Sequence, residues 1–293
     1  MSMFNLKKSA VAVAIAFGAV ASAQAATTTI TNGTLTAAIN DGGNFAVSPL
    51  DPLGTPGLSW MGVEFVNIDN PAAWWTLEST SGPTLTAKYN SNPVGSTTSG
   101  GGPVATTFDL PTLSFFQTAV LTSANQISFS VSFHNTGLAA MTGVTYGVGF
   151  DPDQGGSGNN TTTNQIVAQG PGAAVVAKDL LYGTDTQVTL ANTTGAFPGG
   201  VRSFINSGSC CATVSPTSVL SGALQAPGFS TVADDSISLA YDIGTIAPGA
   251  TVTLGYSYTF AAAVPEPETY AMLLAGLGLM GFVARRRQRN AAA

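Results

Sequence analysis

Asp151-Pro152-Asp153-Gln154-Gly155-Gly156 is the stretch of this 293-residue chain closest to metal chemistry. Carboxylates at alternating positions, followed by a glycine, are how a calcium loop begins. The oxygens converge on a hard cation, and the glycine permits the sharp turn. The match is incomplete: position five is Gly155, and position twelve is Thr162, where a bidentate glutamate would stand. Asp151 and Asp153 are therefore the candidate Ca2+ ligands, with an ordinary acidic turn as the alternative. No other cofactor is implied.

A second group sets Glu64, Asp69 and Glu78 near Trp60, Trp74 and Trp75. Paired carboxylates beside aromatic platforms are what glycoside cleavage requires. Aromatics alone would suit stacking on a sugar, which makes Trp74 and Trp75 candidate sugar contacts. The plainer reading puts the tryptophans in the core and the acids in turns. His134 is the only histidine, so a histidine-rich metal site is excluded. Nothing in the spacing gives that histidine an orienting carboxylate or a nucleophile, so a serine-hydrolase triad has no support. No catalytic residue is assigned, and the chain reads as non-enzymatic. Cys210 and Cys211 are adjacent, with Cα atoms about 3.8 Å apart across a trans peptide. A vicinal disulfide, an intermolecular bridge and two free thiols are all open.

The elements that must carry these residues are strands. Leu35, Ala37 and Ile39 alternate with polar neighbours, as do Ile127, Phe129, Val131 and Phe133. Val144, Tyr146, Val148 and Phe150 repeat the pattern, with Thr145, Gly147 and Gly149 opposite. Ile237 to Ile243 and Val252 to Phe260 mark two more strands, joined by a Pro248-Gly249 turn. Trp60 to Ile68 reads as one strand. The stretch from Ile166 to Leu220 is less regular, with short apolar runs at Ala173 to Ala177 and Val188 to Leu190. Many short alternating strands between Gly, Pro and Asn turns predict an all-β fold, a large antiparallel two-sheet β-sandwich over residues 26–263.

Only 8% of the chain is charged, against roughly 25% in ordinary soluble proteins. Of fifteen acidic residues all but Glu266 and Glu268 lie in the body, against Lys88, Lys178 and Arg202. Such a body cannot neutralise a phosphate backbone, which excludes nucleic acid as a partner. The remaining cations flank the body. Lys7 and Lys8 precede an apolar stretch ending in small residues, the pattern of a secretory signal peptide over residues 1–25.

At the other end, Pro265-Glu266-Pro267 precedes an uncharged apolar run over residues 270–284, then Arg285, Arg286, Arg287 and Arg289. A helix over 269–284 would be roughly 24 Å long, short of a hydrocarbon core of about 30 Å but within reach of bilayer thinning and snorkelling. The expectation is a C-terminal transmembrane helix with the arginines as its cytoplasmic anchor.

This order of motif, apolar run and arginine cluster over residues 264–293 resembles the PEP-CTERM sorting signal. The resemblance implies recognition by an exosortase, transient residence in the inner membrane, and delivery to the cell surface or extracellular matrix of a Gram-negative bacterium that makes extracellular polysaccharide. A structural or adhesive role follows, or alternatively a carbohydrate-binding module acting on exopolysaccharide.

Two local resemblances concern the body. Phe133-His134-Asn135-Thr136-Gly137 with Ile243 to Val252 is similar to paired strands of bacterial immunoglobulin-like surface repeats. Ile30 to Leu35 with Gly62-Val63-Glu64-Phe65 is similar to the start of galactose mutarotase-like sugar-binding sandwiches.

Overall fold

A computed structural model describes residues 27–40, 43–45, 57–66, 72–80, 86–90, 112–154, 161–179, 183–262, 275–277 and 280. The chain divides into two compact units, Met1–Ala261 and Ala262–Ala293. The signal-peptide segment lies outside the described residues, as do Asp69, Pro265, Glu266, Pro267 and the four tail arginines.

Sixteen strands are described, and they form three open sheets. The smallest holds β1 (Thr27–Thr31), β2 (Leu35–Asn40), β3 (Leu58–Trp60) and β4 (Val63–Glu64) in chain order. Next along the chain come β5 (Ala73–Glu78), β6 (Thr86–Asn90), β7 (Leu113–Ser123), β8 (Gln126–Asn135), β9 (Met141–Phe150), β10 (Thr162–Ala168), β11 (Ala174–Lys178) and β12 (Thr186–Asn192). After β13 (Val201–Asn206) comes a short helix, α1 (Pro216–Ser221), then β14 (Ser230–Ala233), β15 (Ser236–Ile246) and β16 (Thr251–Ala262). The seven-stranded sheet runs β14-β10-β11-β12-β16-β8-β7, and the five-stranded sheet β13-β15-β9-β5-β6.

The two-sheet expectation is therefore corrected to three. The third sheet arises where one long strand was expected. Met61 and Gly62 both take positive φ, 52° and 81°, and reverse the chain between β3 and β4. Trp60 then pairs with Val63, and Ser59 with Glu64. Two left-handed residues in a two-residue loop match the twist of the flanking strands.

One apolar core runs through all three sheets. Leu35, Ala37 and Ile39 of β2 enter it, as their alternation predicts. Phe65 meets Phe260 of β16 edge-on at 4.8 Å, and Phe45 meets Tyr258 at 5.0 Å. Aromatic pairs at these separations add to the area they bury.

The second correction concerns the tail. Among the described residues no helix is long and apolar enough to cross a membrane. Residues 275–277 and 280 are helical. The expected transmembrane span over 269–284 is overturned by this, and with it the transient inner-membrane residence; the four arginines expected as its anchor lie outside the described residues. Gly276, Gly278 and Gly281 each lower helix propensity by about 1 kcal/mol relative to alanine. The run also falls short of a bilayer core by its length alone.

Candidate functional site

The two segments that resemble immunoglobulin-like strands do meet. β8 pairs antiparallel with β16, Phe133 opposite Val252. Asn135, fully buried at the end of β8, ties the turn beyond it. Its side-chain amide donates to the carbonyls of Ala139 and Ile246, both at 2.9 Å, and its Oδ1 accepts from the Gly137 N–H. A buried amide with its donors and acceptor used in this way fixes both chain reversals at once.

The outer surface of β7, β8 and β16 is a ladder of hydroxyls. Ser114, His134 and Thr251 form one row, Phe116, Ser132 and Thr253 the next, and Thr118 stands opposite Ser130. Ser132 Oγ and Thr253 Oγ1 are 2.9 Å apart, and His134 Nδ1 lies 3.0 Å from Thr251 Oγ1. Phe116, on the edge strand β7, is 42% exposed on this face. An aromatic ring flanked by hydroxyls offers an apolar platform with hydrogen-bonding groups at its rim.

The expected sugar contacts lie elsewhere. Trp74 and Trp75 are each 1% exposed. Trp75 stacks on Phe115 at 5.0 Å inside the core. Trp74 points to the other side of the five-stranded sheet, where a Cβ on Gly149 would come 2.7 Å from its ring. Neither ring face meets solvent, so neither is a platform for sugar in this structure. Glu78 serves the segment over that side: its Oε2 accepts from Ser215 Oγ at 3.0 Å and from the Thr217 N–H at 3.2 Å. Glu64 lies on β4 of the small sheet, apart from Glu78 on β5.

A third constellation forms where β9 ends. Asp151 and Asp153 are buried there, 4% and 3% exposed. The Asp151 N–H donates to the Ala72 carbonyl at 2.8 Å, fixing the strand end. Gln154 is held by three bonds: it donates to the Ala177 carbonyl and accepts from the Asp179 N–H, both at 2.9 Å, and from Thr186 Oγ1 at 3.2 Å. Its carbonyl oxygen is thus committed elsewhere. Asp234 and Asp235 arrive from the turn between β14 and β15. Oxygens of Asp151, Asp153 and Asp234 lie within 4.8 Å of one another. Asp235 Oδ1 is occupied by the Gly208 N–H at 2.6 Å.

Cys210 and Cys211 are joined to each other by a disulfide, and Cys211 Sγ lies 3.8 Å from Asp151 Oδ2. Of the three states left open by their adjacency, the structure adopts the vicinal bridge.

Burial pushes the Asp151 carboxyl up to about 9, helped by the negative charges of Asp153, Asp234 and Asp235. Burial also raises Asp153 to about 7, with Asp234 adding to it. Asp234 is raised by its own desolvation and by Asp235. In each of the three, burial is the larger cause and neighbouring carboxylates the next.

Sequence spacing pointed to Asp151 and Asp153 but not to Asp234 or Asp235. Those two stand some eighty residues further on, and no local motif links them to the first pair.

Comparisons with known proteins bear on the tail more than on the body. Residues 263–287 match the PEP-CTERM protein-sorting motif. The chain carries that sorting signal near its C-terminus. The match includes Pro265-Glu266-Pro267 and Arg285 to Arg287, and it implies processing by an exosortase-type system. Export to the cell surface is consistent with it. No curated protein matches the chain. Among solved structures, a polysaccharide lyase aligns with 83% of the chain at 13% identity and a TM-score of 0.34. The aligned part spans 33% of that lyase's length.

Proposed function

We propose that this is an exported, non-catalytic polysaccharide-binding protein of the cell surface or extracellular matrix. It contacts the polymer through the outer face of β7, β8 and β16. The observation that carries the reading is Phe116, large, apolar and 42% exposed among Ser130, Ser132, Thr118 and Thr253. A pyranose has an apolar C–H face and an equatorial rim of hydroxyls. A ring and a hydroxyl ladder on a sheet complement both. The sorting motif at 263–287 supports the setting, because it implies delivery to a compartment where extracellular polymers lie. The net-negative body, with Lys88, Lys178 and Arg202 as its only cations, favours a neutral polymer over a polyanionic one.

Affinity electrophoresis of the purified protein through gels containing neutral polysaccharides tests this reading. Retardation is expected, and Phe116→Ala is expected to weaken it about tenfold, equivalent to about 1.4 kcal/mol. Ser130→Arg, which plants a long charged side chain at the centre of the face, should abolish it. Retardation unchanged in both variants would discard this face. Migration unaffected by every polymer would discard polysaccharide binding and leave a structural or adhesive role.

A further inference from the structure

We propose that Asp151, Asp153 and Asp234 form a binding site for one divalent cation of the calcium type. Two segments distant in sequence build it: the stretch just past the end of β9, which carries Asp151 and Asp153, and the turn between β14 and β15, which carries Asp234.

Proximity of acids alone would not justify a site. The added observation is that Asp153 Oδ1 is fully buried and has no hydrogen-bond partner, in a side chain only 3% exposed. Asp234 Oδ1 is likewise buried and unpartnered. Native proteins rarely leave such oxygens unsatisfied, because each costs its full desolvation penalty. Such a carboxylate is stable in its ionised form only beside a cation, and otherwise takes up a proton.

The chemistry of the donors selects the cation. All three are carboxylates, the hard oxygen ligands that Ca2+ takes at about 2.3–2.6 Å. Oxygens on opposite sides of such an ion stand about 4.6–5.2 Å apart by the same bond lengths. The oxygens of the three carboxylates all lie within 4.8 Å of one another, close enough to share one such ion. Cys210 and Cys211 lie beside Asp151, and as free thiolates they would have favoured a soft metal. Their disulfide removes that option. The second acid of the turn, Asp235, is occupied by the Gly208 N–H and so orients the turn without binding. Three carboxylates supply up to six oxygens, which reaches the lower end of calcium's coordination number.

The test uses the full-length protein, stripped with a chelator and dialysed free of it. Titration with CaCl2 followed by calorimetry is expected to show one saturable site, with Kd on the order of 10⁻⁴–10⁻³ M as in other extracellular modules. Calcium should also raise the melting temperature. Asp153→Asn should weaken binding at least about tenfold while raising the melting temperature of the metal-free protein, because it removes a buried charge. A residue with a merely structural role would lower that temperature instead. Should Asp153→Asn fail to fold, Asp234→Asn, at a more accessible position, decides by the same loss of affinity. Absence of saturable calcium binding, or unchanged binding in a folded Asp234→Asn, would overturn the proposal.

Discussion

Along β8 burial alternates residue by residue, with Ile127, Phe129, Val131 and Phe133 inside and Ser128, Ser130, Ser132 and His134 outside. Along β9 and β15 it scarcely alternates. Thr145, Ser238 and Ala240 are buried as thoroughly as Tyr146, Leu239 and Tyr241 on the opposite face. The seven-stranded sheet thus leaves the outer face of β7, β8 and the Thr251–Thr253 end of β16 to solvent, although Ser257 further along β16 is buried, whereas the corresponding part of the five-stranded sheet is covered. The cover includes α1. Thr145 Oγ1 lies 3.0 Å from Thr217 Oγ1, and Gly147 leaves room for Pro216. A strand buried on both sides loses the polar-out pattern, and any carboxylate at its end is desolvated with it. The open face has the character of a contact surface. The closed one has the character of a core with acids at its margin.

The largest effect that separates the two faces is the removal of an aromatic ring from each. Trp74→Ala on the covered face should cost about 3–5 kcal/mol, the usual range for deleting a buried tryptophan. Phe116→Ala on the open face should stay within about 0.5 kcal/mol. Urea unfolding monitored by circular dichroism measures both. Similar losses in the two variants would break the contrast, because they would mean that the β7–β8–β16 surface is also packed against something.

The acids at the covered margin give the next effect, and its sign is opposite to that of an ion-paired carboxylate. In the folded chain Asp151 is raised from 3.8 to about 9 and Asp153 to about 7. The folded state therefore holds protons that the unfolded chain has released. Stability of the metal-free protein falls as pH rises from about 4 to about 9, by about 1.4 kcal/mol per pH unit for each excess proton. The negative charges of Asp234 and Asp235 face Asp151 and raise it further. Urea midpoints at pH 5, 7 and 9 in the presence of a chelator should decline in that order, and Asp151→Asn should flatten the decline. Stability that rises across this range would show that the acids are solvated or paired, and would dissolve the distinction between margin and surface.

What the sequence shows of this architecture follows the same divide. The open-faced strands β8 and β16 are legible because alternation records a strand with one wet side. The Asn135 turn is legible because glycine and asparagine mark reversals. The closed face is not. Thr145, Gly147 and Gly149 have the composition of a solvent-facing row, and only the distant segment carrying α1 makes them interior. Trp74 and Trp75 show why aromatic residues mislead: a ring that could stack on sugar and one that fills a core have the same type and neighbours. Asp151 and Asp153 are close enough to form a motif, but their partner Asp234 is brought in by strand pairing alone. The sorting motif at 263–287 is read directly because its information is linear. The membrane span inferred from it demanded a long uninterrupted helix, which three glycines in a short run oppose.

The smallest effect tests whether α1 really acts as the lid of the covered face. A six-residue helix has no stability of its own. It is held by Pro216 at its first turn, by Ser215 Oγ accepting from the Ser218 N–H at 3.2 Å, and by Ser215 Oγ donating to Glu78 Oε2. Ser215→Ala removes the cap and strips Glu78 of one donor while leaving the Thr217 N–H in place. It should cost about 1 kcal/mol, as cap deletions do. Ser130→Ala, which removes the same hydroxyl from the open face, should cost within about 0.5 kcal/mol. Hydrogen exchange distinguishes cap loss from general loosening, because Ser215→Ala should accelerate the amides of Val219 and Gly222, which bond within the helix, more than those of β8. Equal acceleration in both places would mean that α1 is part of the common core and does not cover the sheet as a separate element.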